Sequence, residues 1–198
     1  MTHSYQEIIE RTMAETGWDD PVWADNDKVL NRELGELAGL KVPDLLQGPC
    51  SLKAMTEPDS SAVIKPVTGC STKGIVPLLK NESGFVNLFT GKKTTWASAT
   101  AEALAEKHTP RNLRLLERGH PDAVRSPWIL EELVTRTGKL SYDWKAYCFG
   151  GRVEAIIQIL RDPRQKYKKI KWWGRDWKPL GDIQPTVRTT PHTPKLPM

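Results

Sequence analysis

Residues 63–74 read VIKPVTGCSTKG, a short apolar strand that ends in a lysine and runs into a turn rich in Gly, Ser and Thr. Lys65 leaves that strand where the backbone N–H groups of Gly69, Ser71, Thr72 and Gly74 are expected to lie exposed, concentrating positive potential suited to phosphate oxygens. The spacing is not the G-x-x-x-x-G-K-[ST] phosphate loop, because Lys73 precedes the second glycine and no helix opens after Gly74. Nor is it the dinucleotide fingerprint, which needs G-x-G-x-x-G between a strand and a helix. An ordinary glycine hairpin loop with a solvated lysine is the competing reading.

The chain around this stretch has 198 residues, 38% of them hydrophobic, enough for one substantial domain or two small lobes with a real core. Its three cysteines, Cys50, Cys70 and Cys148, are widely spaced and form no C-x-x-C pair, so neither a disulfide framework nor a zinc site is indicated. A reducing, cytoplasmic setting is expected. The first residues, MTHSYQEIIERTMAETG, have no apolar core of a signal peptide, and no stretch has the length of a membrane span. A net charge of +5 admits nucleic acid, an anionic surface or a polyphosphate as partner without choosing among them.

Taken in order, residues 5–15 carry Ile8, Ile9 and Met13 at helical spacing before Gly17, and residues 27–37 carry Val29, Leu30 and Leu34 before Gly39. Residues 40–46 begin a short strand ahead of the loop QGPC. From Ala62 the pattern changes to apolar runs broken by glycine, expected to form a twisted antiparallel arrangement, with Pro77 marking an edge or a strand end. A helix over residues 98–108, with Ser98 as its N-cap, and a second over 112–118 follow. Strands are expected over residues 128–134, 142–149 and 153–160, the last two joined at Gly150-Gly151, then a hairpin about Gly174 from residues 168–173 and 176–180. The layout predicts an α+β fold: a helical N-terminal segment (1–60), a small lobe with the glycine-rich loop (61–118), a larger antiparallel lobe (119–183) and an extended or disordered tail (184–198). A nucleotide held between two β-containing lobes suits that order.

Two constellations carry chemistry. Glu131 and Glu132 are adjacent in an apolar strand, so alternation puts them on opposite faces; one can face solvent while the other enters a cleft or pairs with a base. Both as edge charges that oppose aggregation is the alternative. Asp143 and Lys145 lie two apart on one strand face, and the Gly150-Gly151 hairpin is expected to return Arg161 close to them. Cations converging beside a carboxylate suit a polyphosphate or an acyl phosphate; a surface ion-pair ladder is the bland counterpart. Cys148 is expected to be buried structure rather than a nucleophile.

In their order, Lys65 with the glycine-rich turn, the Glu131-Glu132-Leu133 strand, the D-x-K of Asp143 and Lys145, and the hairpin ending at Arg161 resemble the ATP-grasp superfamily. YDWKAYCFGG, the Trp-bearing hairpin and Asp27-Lys28 are similar to its teichuronopeptide-biosynthesis (TupA-like) branch, over residues 27–180. The resemblance implies ATP as cofactor, gripped by Lys65 and Lys145, with residues Gly69, Ser71, Thr72, Lys73 and Gly74 folding over the phosphates. It makes Glu131, Glu132 and Leu133 the hinge that meets adenine, with an acidic residue near the ribose, and Arg161 the residue that stabilises the transferred phosphoryl group. It implies a ligase that activates a carboxylate with ATP for attack by an amine, in polysaccharide or peptide modification, with magnesium.

The family holds that magnesium on strands after the hairpin, where this chain has QPTVRTTPHTPKLPM, without a carboxylate. The metal ligands are therefore unassigned, and three expectations stay open: a degenerate site uses Asp162, Asp176 and Asp182, the chain is truncated relative to the family at its C-terminal end, or a partner chain completes the site; the alternative function is a degenerate remnant that binds nucleotide or a partner. The segment RQKYKKIKWWGRDWK (164–178) supports a further reading, single-stranded nucleic-acid binding by stacking and phosphate contacts. The competing view is a hairpin with Trp172, Trp173 or Trp177 packed inward and lysines outward.

Overall fold

The side chain of Asp27 accepts hydrogen bonds from the N–H groups of Val29 (2.8 Å) and Leu30 (3.0 Å), satisfying two orphan donors at the start of helix α1, Lys28–Leu37. The helix stops at Ala38, and Gly39 follows with φ +72°, a left-handed turn that glycine accepts without strain. The computed structural model describes residues 27–69, 72–120, 123–136, 138–160 and 169–181. The helix expected over residues 5–15, the tail from 184, Ser71, Cys70 and Arg161 lie outside them.

The described chain is α+β, with antiparallel sheets of six and four strands, a two-stranded ribbon and three α helices. It divides into two units: residues 1–87 with 93–133, and residues 88–92 with 134–198.

The first unit holds the six-stranded sheet, in the order β1-β6-β2-β3-β4-β5: β1 Leu45–Cys50, β2 Ala62–Pro66, β3 Val76–Asn81, β4 Gly84–Asn87, β5 Lys92–Thr94 and β6 Trp128–Glu132. The register Ile64↔Leu130, Ile64↔Val76 and Ala62↔Leu78 puts these five residues on one face. With Phe85 and Trp128 they form a core against Ala99 and Ala103 of helix α2, Trp96–Lys107. Small alanines on the inner stripe of α2 let the helix lie close to the strands. The opposite face of the sheet carries Val63, Lys65, Ile129 and Glu131.

Two expectations are corrected here. β1 includes the Gln47-Gly48-Pro49-Cys50 stretch expected to be a loop, because its backbone pairs with β6 at Gln47↔Leu130 and Cys50↔Trp128 through irregular register. Pro77, expected at an edge or a strand end, is the second residue of β3. The β4 ladder begins only at Leu78↔Asn87, so nothing on that side calls for the N–H that proline lacks. Helix α2 is capped by Thr95, whose side chain accepts from Ser98 N (3.2 Å), so the helix starts earlier than a cap at Ser98 would allow.

Helix α3, Pro110–Glu117, is capped by Thr109 and has proline in its first turn, where the missing N–H costs nothing. Its buried Asn112 donates to Lys107 O (3.0 Å) and Val124 O (3.1 Å) and accepts from Val124 N (2.7 Å). That amide fixes the segment on which the glycine-rich turn rests.

The second unit contains the ribbon β7 Thr135–Arg136 with β8 Lys139–Leu140, and the four-stranded sheet β12-β11-β10-β9. β9 Asp143–Phe149 and β10 Arg152–Leu160 are joined as expected at Gly150-Gly151, both at positive φ (54° and 73°), the geometry of a two-residue hairpin turn. β11 Lys169–Gly174 and β12 Pro179–Leu180 make the next hairpin; Gly174 ends β11, and residues 175–178 turn the chain. Ile157, Ile159 and Trp172 form a cluster on one face, flanked by Ala155 and Ile170. Cys148, expected to be buried, is exposed, because β9 is the edge strand of its sheet and residues 144–148 are all exposed.

Candidate functional site

The glycine-rich turn is held from three sides within the first unit. Val67 N donates to Pro127 O (3.0 Å), Thr68 Oγ1 to Ala123 O (3.2 Å), and from helix α1 Lys28 N donates to Val67 O (2.9 Å) while Lys28 Nζ donates to Gly69 O (3.0 Å). Gly69 has φ +109° and Gly74 φ +68°, conformations that L side chains rarely adopt. No backbone bond among the described residues takes up the N–H groups of Gly69, Thr72 or Gly74, while Thr72 O accepts from Ile75 N (3.2 Å).

Lys65 lies on β2 one step before the strand ends, opposite Ile129, and Val63 lies opposite Glu131. Lys65 and Glu131 are therefore diagonal neighbours on the sheet face away from α2, and Lys65 Nζ donates to Glu131 Oε2. The carboxylate is buried, at 7% side-chain exposure, and the lysine is 26% exposed. Its ammonium has three hydrogens, so pairing leaves donors for another anion. Glu132 points to the other face and is exposed, the division that alternation requires. Lys73 Nζ stands 3.9 Å from Glu106 Oε1 on α2. Thus Lys65, Gly69, Thr72, Lys73, Gly74 and Glu131 belong to one unit and gather about the end of β2.

Leu133 is buried, and the N–H groups of Glu132 and Leu133 already donate to Asp44 O (2.8 Å) and Ser61 O (3.3 Å). A purine edge meeting this segment would find carbonyl acceptors rather than N–H donors. In the second unit Lys145 lies opposite Ile157 and Asp143 opposite Ile159, so both occupy one face of β9. Among the described residues no three His, Cys, Asp or Glu side chains gather where they could hold a metal ion. Among them, too, no helix is long and apolar enough to cross a membrane.

Sequence reasoning had no signal for Asn112 or for Trp128 as supports of the turn. A Cβ on Gly74 would come 3.0 Å from Trp128 Cη2 and 3.1 Å from Cζ3. Gly74→Ala combines that contact with a positive φ and is expected to cost about 1–2 kcal/mol, read from urea unfolding. A change under 0.5 kcal/mol, on the order expected of an inert surface site, would show that the turn does not rest on the indole.

Fold and site together define an α+β protein in which a glycine-rich turn follows a strand whose part-exposed Lys65 pairs with the buried Glu131. No family model matches the chain, and neither a curated protein nor a solved structure matches it at a significant level.

Proposed function

We propose that this protein is an ATP-grasp-like, ATP-binding protein related to carboxylate–amine ligases of polysaccharide or peptide modification. The observation that carries the reading is the junction of β2 with its turn: Lys65 beside Glu131 near the end of the strand, followed by a tight turn with Gly69 and Gly74 at positive φ. Oriented N–H groups and a lysine are what a polyphosphate needs for charge neutralisation. Asp143 and Lys145 on one face of β9 add the second half of the TupA-like motif order. In this reading a carboxylate oxygen attacks the γ-phosphorus, ADP leaves, and an amine displaces phosphate from the acyl phosphate; the cations stabilise charge that builds on the phosphoryl oxygens.

A second reading, a catalytically degenerate remnant that binds nucleotide or a partner, is favoured by one observation. Lys65 is already engaged by a buried carboxylate whose charge opposes a phosphate placed alongside. The nucleic-acid reading is set lower because Trp172 and Trp173, two of the three tryptophans of that segment, are buried.

Calorimetric titration with a non-hydrolysable ATP analogue, with and without magnesium, tests the proposal. Magnesium-dependent binding that weakens about tenfold in Lys145→Ala is expected for a working ligase site, the loss of one charge-assisted contact. Binding indifferent to magnesium selects the degenerate form, and absence of binding overturns both.

A further inference from the structure

Strand β10 presents a second row of side chains on the face opposite Ile157 and Ile159. In register, Trp144 of β9 and Lys171 of β11 flank Gln158, while Ala146 and Trp173 flank Ile156. Over this row folds Trp177 from the turn between β11 and β12. Its ring lies 5.5 Å from that of Trp144, edge-on at 79°, and 6.5 Å from that of Trp173. Trp144 and Trp173 stand on the two strands that flank β10, so a ring touching both spans β10 at the level of Ile156 and Gln158.

On that face two donors lack acceptors. Gln158 Nε2 and Trp173 Nε1 are buried and have no hydrogen-bond partner among the described residues, in residues only 4% and 5% exposed, while a third such atom, Trp172 Nε1, lies on the opposite face. A buried N–H without an acceptor is rare and calls for an explanation, and two share one face here. The Trp177 ring, beside Trp144 and Trp173, is held at a cost. Trp177 is the one non-glycine residue with positive φ (59°) among the described residues, fixed by Trp177 N to Gly174 O (2.9 Å) and Gly174 N to Lys178 O (2.8 Å). Trp177 and Trp144 are 38% and 37% exposed, so the cover has solvent on its outer side. Lys171 Nζ sits 4.2 Å from the centre of the Trp173 ring and brings positive charge to the same face. The turn's own carboxylate, Asp176, is engaged by Lys178 Nζ at 2.9 Å and by Lys178 N at 3.2 Å.

We propose that this face is a binding site for a small aromatic carboxylate, with Trp177 as its cover. The lining offers N–H donors and a cation between aromatic walls, which selects an acceptor-only anion on a flat apolar body. The carboxylate accepts from Gln158 Nε2 and Trp173 Nε1 beside the Lys171 ammonium. The ligand's ring replaces that of Trp177 between Trp144 and Trp173, and Trp177 swings outward and leaves its strained conformation. The site lies within the second unit and is independent of the nucleotide reading.

The test is a benzoate titration of the full chain carrying 15N-labelled tryptophan, with benzamide as the uncharged control and the Trp173 signal assigned by Trp173→Phe. The expected result is a saturable downfield shift of the Trp173 indole N–H with movement of the Trp177 signal, at concentrations at least tenfold below those benzamide needs. Gln158→Leu, which keeps the shape and removes the donor, is expected to weaken benzoate about fivefold. Trp177→Gly, which removes both cover and strain, is expected to tighten it about tenfold. Absence of a saturable shift in both wild type and Trp177→Gly, or equal affinity in Gln158→Leu, overturns the proposal and leaves the two N–H groups directed at ring faces as packing alone.

Discussion

Lys65→Met is expected to lower the unfolding free energy by about 2–3 kcal/mol, because it leaves the buried Glu131 carboxylate without its cation. Breaking a fully buried pair costs more, about 3–5 kcal/mol, but Lys65 is partly exposed and water screens part of the interaction. Glu131→Leu should cost less, about 1 kcal/mol, since the remaining ammonium reaches solvent more readily than the carboxylate does. The double variant Lys65→Met/Glu131→Leu removes both charges and inserts two apolar chains beside Val63 and Ile129. It should recover to within about 1 kcal/mol of wild type. Urea unfolding of the four proteins gives a coupling energy on the order of 2 kcal/mol if the pair is real. Nucleotide affinity separates structure from function: the double variant, though stable, should bind an ATP analogue on the order of thirtyfold more weakly if Lys65 touches phosphate. Stability restored with affinity unchanged would end the assignment of Lys65 to the phosphates and leave it as a structural partner of Glu131.

That pair also shows what the sequence could and could not reveal. Alternation alone says that one of Glu131 and Glu132 turns inward and needs a base or a cleft. It does not say which base, because Lys65 and Glu131 are 66 residues apart and meet only since β6 inserts between β1 and β2. Local signals did better. Val29, Leu30 and Leu34 at helical spacing before Gly39 announced a helix, and Gly150-Gly151 between two apolar runs announced a hairpin, each being a property of a few adjacent residues. The Thr95 cap was missed because two hydroxyl residues stand three apart and the helical pattern cannot tell which bonds to the other's N–H. Supports of the site were hidden for the same reason as the ion pair. Nothing in the sequence around Asn112 shows that its amide will clamp Val124, and a tryptophan after proline says nothing of the glycine it will touch.

Trp128→Ala is expected to be the most damaging single truncation in the first unit, at about 3–5 kcal/mol. The indole is fully buried, pairs in register with Pro66 on one side and Cys50 on the other, and belongs to the main core cluster. Its Cη2 and Cζ3 edge lies directly under Gly74, so truncation opens a void beneath the turn as well as within the core. Relaxation of the turn into that void should offset only part of the cost, since Val67, Thr68 and Gly69 are tied to Pro127, Ala123 and Lys28 by hydrogen bonds the substitution leaves in place. Trp128→Phe keeps a ring but withdraws the outer edge and should cost about 1–2 kcal/mol. If the turn is the phosphate cradle, the two variants should also separate in nucleotide binding. Phe retains a floor under Pro66 and weakens the ATP analogue only a fewfold, whereas Ala lets Gly74 sag and weakens it on the order of tenfold. Urea unfolding and titration of the same preparations decide it: a loss of less than 1 kcal/mol in Trp128→Ala would refute the indole as keystone of this corner. A large stability loss with unaltered affinity would place nucleotide binding elsewhere in the chain.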